Sequence, residues 1–348
     1  MIWKGEYDFF IQSNMITVGI LGYGYWGPNL VRNFVNIGCN VKRVVDMNEQ
    51  RLQTVNSLYP NILTSSNSED IFNDDDISAV IIALPVWLHY IMAKRALESG
   101  KHVLVEKPMT DNSDHARELI VMAKDRNLVL MVDHTFLYTS AVRKIKALVN
   151  NGELGRLHYF DSNRINLGQF RSDINVIWDL APHDISILKY LFDKNPVGVV
   201  ATGVAHTQSE LENIAFMTMF YNDDFIAHAN VSWVSPVKLR TVLIGGDKKM
   251  VLYDDNEPTE KIRVYDSGYS VKDIEGNYAM RVDYRVGDIY IPKLAVTEAL
   301  KEMALDFVHC VETGATPESD ASLGLTVVQV LEAAQKSIKN RGREESLC

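Results

Sequence analysis

Two short stretches of the sequence bring together residue types that could carry out acid–base chemistry on a hydroxyl group. Glu106-Lys107-Pro108 follows the apolar run Val103–Val105, and Asp179 and His183 stand four residues apart in a stretch with helical spacing. A lysine ammonium can lie against a substrate oxygen, and histidine has the ordinary pKa best suited to accept a proton near neutrality. Residues four apart share one side of a helix, so Asp179 is expected to lie beside His183, orient its ring and raise its basicity.

Each motif also has a plain structural explanation when it is considered alone. Glu106 and Lys107 could be an ordinary surface pair at the end of a strand, and Asp179 with His183 could be a helix cap and a satisfied, buried histidine. Pro108 favours a turn at the carboxyl end of the strand, because proline donates no hydrogen bond and disfavours a helical residue before it. Open α/β sheets bind ligands at that end of their strands, which favours a functional role for Lys107.

A glycine-rich turn lies near the start of the chain. Gly22, Gly24 and Gly27 form a G-x-G-x-x-G motif between an apolar run and a helical stretch that opens with Pro28. The first glycine makes the tight turn, the second lets a pyrophosphate approach the backbone, and the third lets helix pack on strand. The helix N-terminus supplies amide donors for the phosphates. Asp46, which ends the next strand, could hold the adenosine ribose. Together these features predict a dinucleotide site.

The elements around these motifs alternate between strand and helix through the first half of the chain. Strands are predicted at 16–21, 41–45, 77–84, 103–105 and 128–132, and helices at 29–37, 48–59, 87–99, 113–126 and 141–151. Such alternation predicts a parallel, doubly wound sheet with ligands at the carboxyl ends of its strands. Leu84-Pro85 and Glu106-Lys107 are expected at that edge, while His89 fits either a cofactor contact or a satisfied histidine on its helix.

The second half of the chain has a strand-rich pattern. Apolar and polar residues alternate from Phe225 to Trp233, which is typical of a half-buried strand in an antiparallel sheet. Similar strands are predicted at 157–165, 197–205, 214–221 and 240–244, with a hairpin turn at Gly245-Gly246-Asp247 and strands and loops over 257–292. Helices are predicted at 297–313, at 322–339 and at 175–188, the last kinked or restarted at Pro182. The sequence therefore predicts an α/β protein with one parallel and one mainly antiparallel sheet.

Composition argues against several classes of function. The 348 residues carry a formal net charge of −10, which argues against a nucleic-acid or anionic membrane partner, and no apolar run is long enough to span a membrane. The three cysteines, Cys39, Cys310 and Cys348, show no disulfide or metal spacing, so we expect a reducing, cytoplasmic location and no metal site. Residues 1–14 lack a signal-peptide layout and are expected to contribute little to the core.

The combination of G-x-G-x-x-G, Glu106-Lys107-Pro108 and the Asp179/His183 pair resembles the glucose–fructose oxidoreductase and inositol dehydrogenase family, often written Gfo/Idh/MocA. The resemblance covers nearly the whole chain from Met15. It implies an N-terminal Rossmann domain with a doubly wound parallel sheet at 15–135 and a C-terminal α/β domain with a large open, mainly antiparallel sheet at 136–348. The second domain would bind substrate and form a homodimer or homotetramer through its sheet, and the C-terminal helices could pack back on the first domain.

The resemblance also implies a role for each matching residue. Lys107 would contact the reacting hydroxyl and the nicotinamide, His183 would accept the proton, and Asp179 would stand beside it as a third catalytic residue. Residues expected to line the cofactor are Gly22, Gly24, Tyr25, Trp26, Gly27, Asp46, Leu84, Pro85, His89, Glu106 and Lys107. Residues expected to contact the substrate are Tyr138, Arg164 and Asn166.

The sequence departs from the family pattern at positions that concern the substrate pocket rather than the cofactor site. Many members have glycines before the aspartate and two residues before the histidine, where this chain has Val176, Ile177 and Ala181. Many members also carry an arginine after the last strand of the first domain, where this chain reads His134-Thr135-Phe136-Leu137-Tyr138.

The activity that the resemblance implies is hydride transfer between a nicotinamide cofactor and a ring hydroxyl or ketone of a sugar. NAD is expected rather than NADP, because the Asp46 carboxylate would repel a 2′-phosphate. Several segments look most like members that oxidise C3 of a UDP-linked amino-sugar uronate. The alternatives are an inositol or free-sugar dehydrogenase, a glycosidase that oxidises its sugar only transiently, and a non-catalytic NAD-binding sensor. Retention of Lys107 and His183 weighs against the sensor.

Overall fold

A computed structural model describes residues 16–208, 210–272 and 281–347. The expectation for the leader, residues 1–14, and part of the expectation for 257–292 fall outside the described residues. The chain divides into two compact units. The first unit comprises the chain up to Glu106 with Glu118–Asp133 and Leu300–Pro317, and the second comprises Lys107–Arg117, His134–Ala299 and the chain from Glu318.

Within the described residues, the first unit contains a six-stranded parallel sheet. Its strands are β1 (Thr17–Leu21), β2 (Asn40–Val45), β3 (Leu63–Ser65), β4 (Ala79–Ile82), β5 (His102–Glu106) and β6 (Leu130–Asp133). They lie in the order β3-β2-β1-β4-β5-β6, and every pairing is parallel. All residues of β4 and most of β5 are buried and apolar, as expected for a sheet covered on both faces. This order is that of a doubly wound Rossmann sheet, which confirms the sequence prediction.

Helices follow most of these strands. They are α1 (Gly27–Asn36), α2 (Glu49–Leu58), α3 (Glu69–Phe72), α4 (Val86–Glu98) and α5 (Ser113–Asp125). Helix α1 has a proline in its first turn, where no helical donor is lost. Helix α2 begins after Asn48, whose side chain accepts hydrogen bonds from the amides of Gln50 and Arg51. The sequence analysis predicted neither β3 nor α3, because elements of three or four residues are too short to show a period.

The second unit contains a large open sheet of nine strands in the part of the chain that the structure describes. The strands are β7 (Leu157–Leu167), β8 (Gly198–Val204), β9 (Ile214–Phe220), β10 (Ile226–Ser232), β11 (Val234–Gly246), β12 (Met250–Asp254), β13 (Ile262–Lys272), β14 (Arg281–Tyr290) and β15 (Glu345–Ser346). Their order is β14-β13-β12-β11-β7-β10-β9-β8-β15. Only β7 and β10 pair in parallel among these strands, so the predicted mainly antiparallel sheet is confirmed.

Four further helices complete the described part of the chain: α6 (Ser140–Asn150), α7 (Val176–Phe192), α8 (Ala299–Thr313) and α9 (Ala321–Lys339). Helices α7 and α9 pack on one face of the second sheet, where alternate residues of β10 are buried. Helix α8 belongs almost wholly to the first unit, where the Phe307 ring meets the Phe34 ring of α1 edge-on at 6.2 Å between centroids. No helix in the described ranges has the length and apolar composition needed to cross a membrane.

Helix α7 carries Asp179 and His183, and its N-terminus is fixed by Asn175. The Asn175 side chain accepts a hydrogen bond from the Trp178 amide at 3.1 Å and donates one to the Glu212 carboxylate at 2.8 Å. Its amide nitrogen also donates to Gln335 of α9. Because Asn175 is 3% exposed, these partners have no ready replacement in water. One side chain therefore caps α7 and ties it to two other segments of the second unit.

We expect Asn175→Ala to lower the free energy of unfolding by about 1–3 kcal/mol, because it removes a helix cap and leaves buried polar partners unsatisfied. Thermal and urea denaturation would measure the loss. Asn61→Ala is the matched control, since Asn61 is exposed and its substitution should change stability by less than ~0.5 kcal/mol. Equal midpoints for the two variants would contradict the assigned role of Asn175.

Candidate active site

The three glycines of the first unit have three different surroundings. A Cβ atom at Gly22, whose φ is +98°, would lie 2.3 Å from the Ala83 carbonyl oxygen, and a Cβ atom at Gly27 would lie 2.4 Å from the Gly22 carbonyl oxygen. A Cβ atom at Gly24 would meet nothing closer than Arg51 Nη1, at 3.8 Å. The outer two glycines are therefore required by the turn and its packing, whereas the middle one leaves the backbone open to a ligand such as a pyrophosphate.

The N-terminus of α1 follows this turn directly. Trp26 occupies the cap position, and among the described residues no side chain caps the helix there. Tyr25 is 86% exposed and packs its ring edge-on against Trp26, with 5.3 Å between centroids. A helix start without a side-chain cap offers amide donors and a partial positive charge to an anion. The two aromatic rings stand beside that position, and their role in lining the cofactor stays a prediction.

Asp46 stands directly after β2 and is held by backbone amides. Its Oδ2 accepts a hydrogen bond from the Tyr23 amide and its Oδ1 accepts one from the Asn48 amide, both at 2.7 Å. Arg51, on the first turn of α2, places Nη1 3.3 Å from Asp46 Oδ2. The sequence analysis missed Arg51 because it considered only the residues immediately after Asp46. The helix cap at Asn48 is the sequence signal that could have indicated Arg51. A cap at that position starts α2 so that Arg51 lies in its first turn, close to the end of β2.

The turn after β4 contributes the next expected cofactor residues. The Leu84 side chain would lie 3.0 Å from a Cβ atom at Gly22, so it borders the glycine turn. His89 is buried and its Nε2 lies 2.7 Å from the Leu84 carbonyl oxygen, which holds the Leu84-Pro85 turn against α4. Glu106 ends β5 and is also buried. His89 therefore supports the shape of the turn, which is the plainer of its two sequence interpretations.

These observations fit a dinucleotide cofactor. The open backbone at Gly24, the uncapped start of α1 and the oriented Asp46 carboxylate lie within one unit and match pyrophosphate and ribose chemistry. In the ranges that the structure describes, no group of three or more His, Cys, Asp or Glu side chains is placed to hold a metal ion.

Lys107 is bonded to the last residue of β5 and begins the second unit. The Lys107-Pro108 peptide bond is cis. Lys107 Nζ donates a hydrogen bond to the Asp179 carbonyl oxygen at 2.8 Å and lies 3.7 Å from Asp179 Oδ1. That carbonyl belongs to the turn of α7 that precedes Pro182, whose ring disturbs the regular bonding of the turn before it. The lysine ammonium is thus anchored on the same helix that carries His183.

The Asp179 carboxylate serves Lys107 rather than His183. Its Oδ2 accepts a hydrogen bond from the indole Nε1 of Trp233 at 3.1 Å, while its Oδ1 faces Lys107. The expectation that Asp179 orients His183 and raises its basicity is therefore not what the structure shows. Four-residue spacing does put both side chains on one side of α7, but the cation and the indole are closer partners for the acid. Trp233 was missed because its sequence pattern indicates only a buried strand residue.

His183 lies partly exposed on α7, and its buried Nδ1 has no hydrogen-bond partner among the described residues. Its ring meets the Phe136 ring at 5.0 Å between centroids, in an edge-on arrangement. Burial, followed by the positive charges of Lys107 and Arg164, holds the pKa of His183 well below its ordinary value. The imidazole is therefore neutral at pH 7 and able to accept a proton.

His134 is a second neutral histidine near this position. Its side chain is completely buried, and neither ring nitrogen has a hydrogen-bond partner in the described part of the chain. Burial, with the charge of Lys107 added, lowers the pKa of His134 to about 3. His134 is therefore a neutral side chain at the start of the segment that follows β6.

The three residues expected to contact substrate are placed differently from one another. Tyr138 is completely buried and its hydroxyl accepts a hydrogen bond from the Ser319 amide at 3.2 Å. Arg164 is 4% exposed, and its Nε and Nη2 atoms donate to the two oxygens of Asp184 at 3.0 and 2.8 Å. Such burial argues against direct substrate contact for both residues. Asn166 is partly exposed on β7 and keeps that role as a prediction.

Similar proteins have been found for both halves of the chain. The uncharacterized oxidoreductase YdgJ of Escherichia coli is 32% identical over 49% of this chain and 52% of its own length, so this match spans about half of that protein. The scyllo-inositol 2-dehydrogenase (NADP(+)) IolW of Bacillus subtilis is 24% identical over 95% of this chain and 96% of its own. The UDP-N-acetylglucosamine 3-dehydrogenase GnnA of Acidithiobacillus ferrooxidans has the same fold, with a TM-score of 0.79 at 23% identity over 94% of this chain and 99% of that one.

Family models match the two halves separately. Residues 16–134 match an oxidoreductase family with an NAD-binding Rossmann fold, and residues 142–252 match the GFO/IDH/MocA C-terminal domain. The first match covers the glycine turn, Asp46 and Glu106-Lys107-Pro108, and the second covers Asp179 and His183. Together the matches extend over more than half of the chain, which therefore belongs to the Gfo/Idh/MocA family of oxidoreductases and has a Rossmann domain for a nicotinamide cofactor.

Proposed function

We propose that the protein is an NAD-dependent dehydrogenase that transfers a hydride between the cofactor and a ring hydroxyl of a sugar, with a nucleotide-linked sugar as the first candidate. The observation that carries this proposal is that Asp179 holds the Lys107 ammonium on the helix that carries His183, where its charge acts on the neutral imidazole. The lysine follows directly on β5, and the carboxyl ends of parallel strands are where such sheets bind their ligands.

In the proposed reaction, each residue of the cluster has one task. His183 takes the hydroxyl proton of the substrate, and its accepting atom is Nε2 because Nδ1 is buried. Lys107 donates a hydrogen bond to the same oxygen and stabilises the negative charge that develops there. Asp179, fixed by Trp233, holds Lys107 through its carbonyl and carboxylate oxygens. The nicotinamide, when bound, supplies the chemistry of hydride exchange.

The substrate class rests on the segments that resemble nucleotide-sugar enzymes and on the fold shared with GnnA, named as a UDP-N-acetylglucosamine 3-dehydrogenase. The full-length match to IolW, named as a scyllo-inositol dehydrogenase, supports a cyclitol as the second candidate. Thermal shift with NAD and a panel of UDP-sugars, free sugars and inositols would separate the two. Net formation of NADH with one of them would also exclude a glycosidase that returns the hydride within each turnover.

The exposed face of the second sheet suits association with another copy of the chain. Phe216, Ile226, Leu239 and Leu243 lie on neighbouring strands and share the face that α7 and α9 leave uncovered. Exposed apolar side chains on one sheet face favour an interface between proteins. We therefore retain the homodimer or homotetramer as part of the proposal, together with a cytoplasmic location.

We expect Lys107→Ala and His183→Ala each to lower kcat by about a hundredfold or more, because one removes the electrostatic partner and the other the base. The Kd of NADH should change little in His183→Ala. Because both act on one oxygen, the double variant should lose less than the product of the single losses. Steady-state kinetics with the substrate found by thermal shift, together with cofactor titration by nicotinamide fluorescence, would measure these effects.

The matched control for these variants is His309→Ala, since His309 is exposed on α8 in the first unit. That change should leave kcat within about twofold of wild type, as expected for a surface position away from the chemistry. Wild-type turnover in folded His183→Ala at saturating NAD would remove His183 as the base.

Gly24→Ala should lower cofactor affinity by about tenfold or more without lowering stability, because the added methyl group meets open space in the protein but stands where the pyrophosphate approaches. Gly27→Ala is the contrasting variant: its methyl group would clash with the Gly22 carbonyl and should lower the thermal midpoint as well. Unchanged NADH affinity in Gly24→Ala would mean that the phosphates do not pass over this residue.

Wild-type protein should bind NADH more tightly than NADPH because Asp46 repels a 2′-phosphate, but Arg51 should weaken that preference. Arg51 lies 3.3 Å from Asp46 and can form a charge-assisted hydrogen bond with a phosphate. Arg51→Gln should therefore weaken NADPH binding by roughly fivefold or more and NADH binding much less. Arg126→Gln, which removes an equal charge from an exposed position directly after α5, is the control. Fluorescence titration would measure both affinities. An equal loss of NADH and NADPH affinity in Arg51→Gln would contradict the assigned role of Arg51.

A further inference from the structure

His183 lacks the hydrogen bond that usually orients a histidine base. Its Nδ1 is buried without a partner among the described residues, and the carboxylate one turn earlier, Asp179, is bound to Trp233 and Lys107. A ring that no acceptor holds can rotate about its side-chain bonds unless packing prevents it. The orientation of the base must therefore come from its apolar neighbours.

Phe136 is the aromatic neighbour that the structure gives to His183. It lies on a short 3-10 turn, Thr135–Tyr138, which follows β6 along the chain. The two ring centroids are 5.0 Å apart and the ring planes meet at 63°, so one ring presents its edge to the other. Edge-on contact of aromatic rings has a preferred geometry, unlike contact between two aliphatic side chains. Phe136 can therefore set the plane of the imidazole.

Arg164 in turn fixes Phe136. Its guanidinium carbon lies 4.6 Å from the Phe136 ring centroid, within range of a cation–π contact. Both hydrogen bonds to Asp184 are made by the planar fork of the guanidinium, which leaves little freedom of rotation. Asp184 is the residue after His183 on α7. The contacts therefore form a closed ring of four residues that starts and ends at adjacent positions of one helix.

We infer that Phe136, held by the buried Arg164–Asp184 ion pair, is the residue that positions the His183 imidazole for proton transfer. This inference rests on the proposed role of His183 as the base. It gives Arg164, expected from sequence to contact substrate, a role that fits its burial. The pair acts through Phe136 and does not touch the reacting atoms.

The charged and titratable groups around His183 come from every side of the cluster. They are Lys107 after β5, His134 after β6, Arg164 on β7, Arg240 on β11, and Asp179 and Asp184 on α7 itself. Burial is the largest cause of the low pKa of His183, ahead of these cations. Removing the Phe136 ring would expose more of the imidazole to water, so the pKa of His183 should rise toward its ordinary value.

The test compares Phe136→Leu with Phe160→Leu. Phe160 is likewise an aromatic residue of the second unit, and it is buried, but its aromatic contact is with Phe192 at 6.2 Å. Phe136→Leu should lower kcat by about tenfold to a hundredfold through misplacement of the base, with unchanged NADH affinity. It should also shift the acidic limb of the pH–rate profile to higher pH. The pKa of His183, followed by NMR of histidine-labelled protein, should rise with it. Phe160→Leu should lower the thermal midpoint and move neither pH-dependent quantity.

Arg164→Lys provides a second test if loss of the Phe136 ring impairs folding. Lysine keeps the positive charge opposite Asp184 but cannot form the planar fork or the same stacking contact. It should lower kcat by about tenfold, with NADH affinity unchanged. Wild-type kcat and an unchanged His183 NMR titration in either folded variant would overturn the inference.

These outcomes separate the inference from the proposed function. If His183→Ala retains wild-type turnover, His183 is not the base and the proposed mechanism fails with the inference. If His183→Ala abolishes turnover while Phe136→Leu behaves like Phe160→Leu, the base is correctly assigned and only the positioning role of Phe136 is wrong.

Discussion

A neutral imidazole close to two cations of low exposure is the constraint on which this cluster of the second unit depends. Lys107 is 13% exposed and Arg164 is 4% exposed, so each needs a carboxylate close by. Asp179 serves Lys107, and Asp184 serves Arg164. His183 stands between these two acids on α7 yet bonds to neither. The acids that flank His183 in sequence therefore neutralise its cationic neighbours. This pairing lowers the energetic cost of enclosing the two cations while the imidazole remains unprotonated.

This division of labour explains which parts of the site the sequence could predict. The glycine turn and the parallel sheet follow from local patterns: strand, turn and helix are adjacent in sequence, and each glycine has its own steric reason. Asp179 and His183 were correctly placed on one helix. The partner of Asp179 could not be predicted, because helical spacing fixes only a direction, and Trp233 reaches the carboxylate from the bend between β10 and β11, more than fifty residues away. Phe136 has no local signal at all, since its importance lies in what it touches.

Burial also separates residues that sequence treats alike. Arg164 and Asn166 are alternate residues of β7 and point to the same face, yet one is sealed against Asp184 and the other is partly exposed. Tyr138 similarly follows Phe136 by two positions and is sealed by Ser319 and the chain around it. A resemblance to a family indicates which sequence positions correspond, but it does not show how deeply each side chain is buried in this chain. Arg51 shows the reverse case, because its contact with Asp46 arises from a helix cap that the family motif does not include.

The protonation of His183 bears on the direction of the proposed reaction. Oxidation of a hydroxyl needs the imidazole neutral, whereas reduction of a ketone needs it protonated, and burial together with the surrounding cations lowers the pKa of His183 and favours the neutral form. A base with a low pKa is also a weak base. Lys107 offsets this weakness by stabilising the oxygen anion of the substrate, so the proton affinity of that oxygen falls toward that of the His183 imidazole. Each rise of one pH unit above the pKa reduces the protonated fraction about tenfold. Oxidation should therefore proceed at full rate through neutral pH, while reduction should accelerate as the solution is acidified.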